Sequence, residues 1–143
     1  MKFSLVIDAE REEEVIVYCH NENELTESIK RLLNADEFTL LGQKDDEYKR
    51  LKLEDIYCFT VEENKIYAHL ECEKYRIKER LYKIEEKLPD YYVKINQSAI
   101  VNIKKIDSFY SGFSATLKVK LKNGYTDYVS RRNLKNVKER LGL

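Results

Sequence analysis

The sequence contains few of the residues that mark fibrous, disordered and membrane proteins. Its 143 residues include four Gly, one Pro and no Trp, a composition that excludes collagen-like and low-complexity chains. No apolar run approaches the ~18 residues of a membrane span. The opening residues become acidic too early for a secretory signal peptide. We therefore expect one globular domain, or one domain with a small appendage.

Cysteine and histidine are too few for the sites that they usually build. The three cysteines, without C-x-x-C spacing, exclude a disulfide framework and a structural zinc site. Cys19, Cys58 and Cys72 have apolar neighbours, which predicts buried or half-buried thiols. His20 and His69 lie in separate segments, with no metal-ligand partner at a suitable spacing. The sequence thus predicts no metal site and a reducing compartment, the cytoplasm.

The motifs that serve catalysis and cofactor binding are missing from the sequence as well. It has no glycine-rich phosphate loop, no H-E-x-x-H and no nucleophile elbow. We expect a protein that is not an enzyme, with no catalytic residues, no cofactor and no small-molecule substrate.

The charge of the chain is unevenly distributed. The formal net charge is zero, from 26 basic and 26 acidic residues. It is −6 over residues 1–50, −2 over 51–90 and +8 over 91–143. A basic C-terminal third indicates contact with a polyanion, although lysines that only solubilise exposed strands are an equal alternative at this point.

Short segments of alternating apolar and polar residues predict an α+β fold that is mainly antiparallel β. Strands are predicted over 2–8, 13–19, 38–43, 55–61, 65–72, 74–77, 115–121 and 125–129. Helices are predicted after a cap at Asn21 or Asn23, over 79–88 before Pro89, and after Ser130. A ββα unit over 1–44 would precede a β domain with two short helices over 45–143.

Two arginines at the start of the last predicted helix are the strongest candidate binding residues. Arg131 and Arg132 follow Ser130, the predicted N-cap. Because the helix dipole makes this end positive, arginines here are unfavourable for the helix itself. Two guanidinium groups beside free helix amides suit a phosphate or a guanine edge, and Asn133 suits an adenine edge. The alternative is that one arginine pairs with Asp127.

A second polar cluster lies where segment 91–106 is expected to change conformation. Lys94 suits a phosphate, and Asn96, Gln97 and Ser98 offer short polar groups at the end of a strand. Lys104 adds positive charge nearby in the sequence. The remaining candidates, in the predicted hairpin loop over 61–65, are Asn64 and Lys65.

Three blocks of the chain together form a pattern known from one protein family. The first block is Asp55-Ile56-Tyr57-Cys58-Phe59. The second is Tyr92-Val93-Lys94-Ile95-Asn96-Gln97-Ser98-Ala99-Ile100-Val101-Asn102, followed by Ile106. The third is Gly124 with Val129-Ser130-Arg131-Arg132, followed by Lys135, Lys138 and Leu141. Over roughly residues 45–143 the chain resembles the LytTR DNA-binding domain family of bacterial transcription regulators.

The resemblance implies a compact antiparallel β fold whose loops enter successive major grooves of double-stranded DNA, usually over paired promoter repeats. The base-reading positions of the family carry over to Asn64 or Lys65, to Asn96 with Gln97, and to Arg132 with Arg131. The chain departs from the family in the second block, where Lys94 and Asn96-Gln97 replace Arg and His-Arg.

The resemblance also implies partners. Residues 1–44 are too short for the phosphoacceptor receiver domain that often accompanies the family, so the chain resembles a stand-alone regulator. Such proteins commonly respond to another protein, sometimes a membrane inhibitor. We expect a homodimer, at least on DNA, with the 1–44 unit in dimerisation or partner contact.

Two other functions remain open from the sequence. A protein-interaction module that has lost DNA binding and titrates a regulatory partner is favoured by the changed second block and the acidic N-terminal third. RNA binding is more distant, since no aromatic stacking motif is evident.

Overall fold

The computed structural model of the chain describes residues 4–34, 39–112 and 116–143. The helices in these ranges are α1 (Glu24–Asn34), α2 (Leu81–Lys87) and α3 (Arg131–Leu141). The strands are β1 (Thr39–Lys44), β2 (Glu47–Lys52), β3 (Cys58–Glu62), β4 (Lys65–His69), β5 (Lys74–Ile77), β6 (Tyr92–Asn96), β7 (Ala99–Asn102), β8 (Ile106–Ser111), β9 (Leu117–Leu121) and β10 (Thr126–Val129). No helix within the described residues is long and apolar enough to cross a membrane.

The strands form two antiparallel sheets. The large sheet has seven strands in the order β2-β1-β5-β4-β3-β7-β6, and the small sheet has three in the order β10-β9-β8. Neighbouring strands are antiparallel throughout both sheets. The predicted fold class, α+β and mainly antiparallel β, is confirmed.

The large sheet carries a hydrophobic core on each face. On one face the sheet packs against α2, whose Ile84 is fully buried. On the other face β3, β7 and β6 pack against the small sheet and against Val137 of α3. Alternation along β7 serves both cores, because Ile100 faces the first while Ala99 and Val101 face the second. Each fully buried aliphatic side chain contributes about 1.5–3 kcal/mol to folding.

The predicted N-terminal strand pair is not formed. Residues 4–8 and 13–19 contain no strand, and residues 2–3 of the prediction lie outside the described part. Ile7 is 88% exposed and Tyr18 91% exposed. A two-stranded hairpin without an apolar surface to cover it gains too little from burial to be stable by itself. The ββα prediction is therefore wrong for its two strands.

The helix of the predicted ββα unit is confirmed as α1. Its first turn is closed by reciprocal hydrogen bonds. The Thr26 amide donates to Asn23 Oδ1 at 3.1 Å, and the Asn23 amide donates to Thr26 Oγ1 at 2.9 Å. The apolar stripe of α1 faces solvent, with Leu32 and Leu33 each 52% exposed.

Strand β1 precedes the predicted boundary at residue 44 and is hydrogen-bonded in the same sheet as the strands that follow it. It pairs with β2 on one side and β5 on the other. The approach to β5 is close at Gly42, where an added Cβ would lie 2.6 Å from Cβ of Tyr75. Strand β2 is absent from the prediction because Leu51 is its one buried residue, so it lacks the apolar alternation of a half-buried strand.

Candidate nucleic-acid interface

Three of the predicted polar segments lie side by side at one end of the strands of the large sheet. The amide of Val61, beside the β3–β4 turn, donates to the Ser98 carbonyl in the β6–β7 turn at 2.8 Å. The amide of Ser130, which precedes α3, donates to the Ile95 carbonyl near the end of β6 at 2.8 Å. We call this row of the β3–β4 turn, the β6–β7 turn and the start of α3 the loop edge.

The two strongest sequence clusters share one surface depression on the loop edge. Its volume is about 460 Å³. The residues that line it are Asn96, Gln97, Ser98, Ser130, Arg132 and Asn133. The fold thus brings together residues that lie more than thirty positions apart in the sequence.

Arg131 and Arg132 project from the first turn of α3 and are exposed. Within the described residues neither arginine has a carboxylate at ion-pair distance. The alternative partner, Asp127, is occupied otherwise: Tyr125 donates its hydroxyl proton to Asp127 Oδ2 at 2.7 Å. Both guanidinium groups are therefore open to an external anion or base.

Ser130 is the N-cap residue of α3, as predicted, but its side chain does not cap the helix backbone. Its Oγ accepts a hydrogen bond from Asn133 Nδ2 at 2.8 Å instead. The amides of the first helical turn consequently lack a side-chain acceptor, the usual condition for binding an anion at a helix N-terminus. The same bond occupies one of the Asn133 amide protons that were predicted to face an adenine.

Asn96 has both ends of its amide engaged within the protein. Its Nδ2 donates to the Tyr128 carbonyl at 2.9 Å, and its Oδ1 accepts from the Ser98 amide at 2.8 Å. It therefore fixes the β6–β7 turn against β10. Gln97 and Ser98, the two residues at the tip of that turn, are exposed.

The β3–β4 turn presents Asn64 and Lys65 to solvent. Glu63 and Asn64 both have positive φ, at 51° and 63°. This is the backbone that a two-residue type I′ hairpin requires. Asn tolerates it well, whereas Glu does so at a cost, and the Glu63 carboxylate stands at the tip of the loop edge.

Lys94 precedes Asn96 by two residues on β6, and its side chain is directed toward α2. Its Nζ is 3.9 Å from Glu85 Oε2. Lys94 also lines a cleft of about 240 Å³ that Asn133 and Arg140 of α3 share. Lys94 is therefore next to the loop edge, and the nearby Glu85 carboxylate partly neutralises its charge.

Lys104 is not brought to the loop edge. It follows β7, whereas Ser98 precedes that strand, so the two residues are at opposite ends of it. The Lys104 Nζ lies over the Tyr91 ring, 4.2 Å from its centroid.

In the described part of the chain no group of three or more His, Cys, Asp or Glu side chains could hold a metal ion. Cys58 is buried, and burial raises the pKa of its thiol far above the usual range. Cys19 and Cys72 are exposed, so the prediction that they are buried or half-buried is wrong. Neither is covered by a neighbouring element.

Comparison with known proteins agrees with this architecture. Residues 46–142 match the model of the LytTr DNA-binding domain family. Uncharacterized HTH-type transcriptional regulators of Staphylococcus aureus strains MSSA476 and NCTC 8325 are each 32% identical over 146 residues, covering 100% of this chain and 99% of the relative. A solved Bacillus cereus domain, described as the LytTr DNA-binding domain of a methyl-accepting/DNA response regulator, superposes with a TM-score of 0.69 at 22% identity, covering 73% of this chain and 97% of that one.

The fold is therefore that of a LytTr-type β domain with a few helices. The chain belongs to the LytTR DNA-binding domain family. Although the relatives carry the description HTH-type, strands separate each helix from the next in the described residues of this chain. The candidate interface here is a row of turns and one helix start.

Proposed function

We propose that the protein is a sequence-specific, double-stranded-DNA-binding transcription regulator that acts in the cytoplasm without catalysis or a cofactor. The observation that carries the proposal is the loop edge, where exposed arginines, amides and polar turn residues lie in one row. Such a row offers donors both to phosphates, which position a protein on DNA, and to base edges, which specify the sequence.

In this proposal the turns of the loop edge enter successive major grooves. Arg132, with Arg131, contacts a guanine edge and a phosphate, since a guanidinium can donate two parallel hydrogen bonds to either. Gln97 reads a base from the tip of the β6–β7 turn, and Asn96 holds that turn in place. The flanking contacts are assigned to Ser98, Lys94, Asn133, Asn64 and Lys65.

We further propose that the protein binds paired promoter repeats as a homodimer. Residues 1–44 then serve dimerisation or contact with a partner, such as a membrane inhibitor protein. The support is their exposed apolar side chains, among them Leu5 at 74% and Val6 at 84% exposure, beside an acidic sequence that would not favour DNA. Isolated large apolar side chains are common on surfaces, but a contiguous series marks an interaction site.

The test is selection of genomic fragments by the purified full-length protein, with an Arg131→Ala/Arg132→Ala variant as matched control. We expect the wild type to enrich fragments that share a repeated sequence, and the variant to enrich none. The spacing of the repeats would give the dimer geometry. Absence of any enriched sequence would contradict the proposal and favour a protein-interaction module that titrates a regulatory partner.

A further inference from the structure

The small sheet covers only about half of one face of the large sheet, and the rest of that face is open. The second core draws its large-sheet residues from β3, β6 and β7, while β2, β1 and β5 contribute none to it. The β9–β10 turn reaches only the far end of β4, where Asn123 Nδ2 donates to the Leu70 carbonyl at 3.1 Å. Leu41 and Tyr48 accordingly remain 58% and 57% exposed.

Six cations line this open face. Side chains alternate between the two faces along each strand. The residues that face the first core are Leu51, Tyr75, Ile77 and Ile66, so the residues that alternate with them face the open side. The cations that alternate with them, all exposed, are Arg50, Lys52, Lys65, Lys74, Arg76 and Lys78. Lys74 is paired with Glu62, and we call the other five residues the basic face.

In the described residues none of the five cations of the basic face has an ion pair. Glu62, the carboxylate opposite Lys65 in the β3–β4 pairing, is engaged by Lys74, whose Nζ lies 3.0 Å from Glu62 Oε2. The basic face lies within residues 39–78, a region that is not basic overall. Its positive charge arises because strand alternation places these cations on the same side of the sheet.

Protection of a sheet edge explains only part of this pattern. Lysine and arginine on an exposed edge strand prevent pairing with other chains, which accounts for Arg50 and Lys52 on β2. Arg76 is on β5, an inner strand paired on both sides, where no edge needs protection. Uncompensated like charges on one sheet face are unfavourable for folding, so a polyanion is the better explanation.

The basic face is continuous with the loop edge. Lys65 begins β4 at the β3–β4 turn, and the pairing Ile66 with Ile77 puts Lys78 at the same end of the sheet. The pairing Thr39 with Lys52 puts Lys52 there as well. From β4 to β2 the row extends over three strand spacings, about 14 Å.

We infer that the basic face binds the sugar-phosphate backbone of duplex DNA that flanks the sequence read by the loop edge. The inference rests on the proposed function and extends it beyond the three turns. Phosphates rather than stacked bases are the fitting ligand, because a lysine ammonium lies over each of two tyrosine rings on this face. Lys74 Nζ lies 4.8 Å from the Tyr67 ring centroid, and Lys78 Nζ lies 5.9 Å from that of Tyr48.

The test compares two duplexes that share the selected site, one of which carries about ten further base pairs on each side, roughly one helical turn. Full-length wild type is measured against Arg50→Gln/Arg76→Gln. The matched control is Lys83→Gln/Lys104→Gln, which removes two exposed cations away from both the basic face and the loop edge. Circular dichroism confirms that all three proteins are folded.

We expect the wild type to bind the longer duplex more tightly, and the Arg50/Arg76 variant to lose about three- to tenfold of that affinity with little change on the short duplex. Its slope of log affinity against log salt should fall by up to about 1.8, from two lost phosphate contacts. The control should behave as wild type.

Retention of the full gain on the longer duplex by the Arg50/Arg76 variant would overturn the inference and leave the proposed function intact. The inference would also be overturned if the Arg50/Arg76 variant lost self-association in sedimentation but kept the DNA binding of the wild type. The basic face would then be an interface with a second copy of the chain. A wild type that binds neither duplex overturns the proposed function and this inference together.

Discussion

The side chain of Asn96 joins the end of β6 to the end of β10 through a hydrogen bond from its Nδ2 to the Tyr128 carbonyl at 2.9 Å. The two residues are 32 positions apart in the sequence. Together with the bond between the Ser130 amide and the Ile95 carbonyl, this contact sets the β6–β7 turn beside the start of α3. The candidate interface depends on it.

Replacing Asn96 should therefore affect folding as well as binding. We expect Asn96→Ala to lower the free energy of unfolding by about 1–2 kcal/mol, because two hydrogen bonds are lost, and to weaken DNA binding. Gln97→Ala, at an exposed position, should change stability by less than about 0.5 kcal/mol while weakening binding. Urea unfolding and fluorescence anisotropy measure the two effects. An Asn96→Ala protein of unchanged stability would contradict the positioning role.

Arg132 should carry more of the binding energy than other cations of the same helix. Arg132→Ala should cost about 1–3 kcal/mol on the selected site and relax discrimination at one base position. Lys138→Ala is the matched control, since Lys138 is in the last turn of α3 and loses the same charge. Anisotropy at fixed salt distinguishes them. Equal affinity of wild type and Arg132→Ala would refute the assignment.

Glu63 is expected to be unfavourable for both stability and DNA binding. Its φ of 51° costs a residue with Cβ about 1 kcal/mol, and its carboxylate repels phosphate. Glu63→Asn should raise the urea midpoint and tighten binding. Glu71→Asn removes the same charge at a residue without positive φ, and should leave the midpoint unchanged. A similar gain from both variants would show that charge, not backbone conformation, is responsible.

His69 should make folding sensitive to mild acid. Burial lowers its pKa below 6.5, against the smaller opposing effect of Glu62, and its Nε2 lies 2.7 Å from Thr60 Oγ1. Below pH 6.5 the unfolded chain takes up this proton more readily than the folded protein, so the free energy of unfolding falls as the pH decreases.

The pH dependence is measured by urea unfolding at pH 7.5 and pH 5.5. His69→Gln should reduce the loss of stability between the two, whereas His20→Gln, at an exposed position, should not. An identical loss in wild type and His69→Gln would exclude this histidine as the cause.

The elements that the sequence predicts well are those defined by neighbouring residues. The helical spacing before Pro89 predicts α2, and the Asn123-Gly124 turn predicts the β9–β10 hairpin, where Gly124 has a φ of 91°. Both depend on local backbone preferences, which are readable from a few adjacent residues.

The elements that the sequence misses depend on distant partners. Strand β2 is mostly exposed and is held by its pairing with β1, so its own pattern gives no signal. For the N-terminal segments around Ile7 and Ile16 the sequence predicts strands that are not formed. These segments have the composition of strands, but they pair with no sheet in the described residues.

The sequence by itself determined the fold class, the family, and Arg131, Arg132 and Gln97 as exposed polar candidates, because periodicity, turn chemistry and motif spacing are local properties. Only the tertiary structure decided which candidates share a surface. Pairing β6 with β7 and packing α3 beside them bring the second and third blocks together and leave Lys104 at the other end of a strand. The basic face likewise exists only in the folded sheet, since alternation sends Arg50 and Arg76 to the same side while Leu51, Tyr75 and Ile77 enter the core.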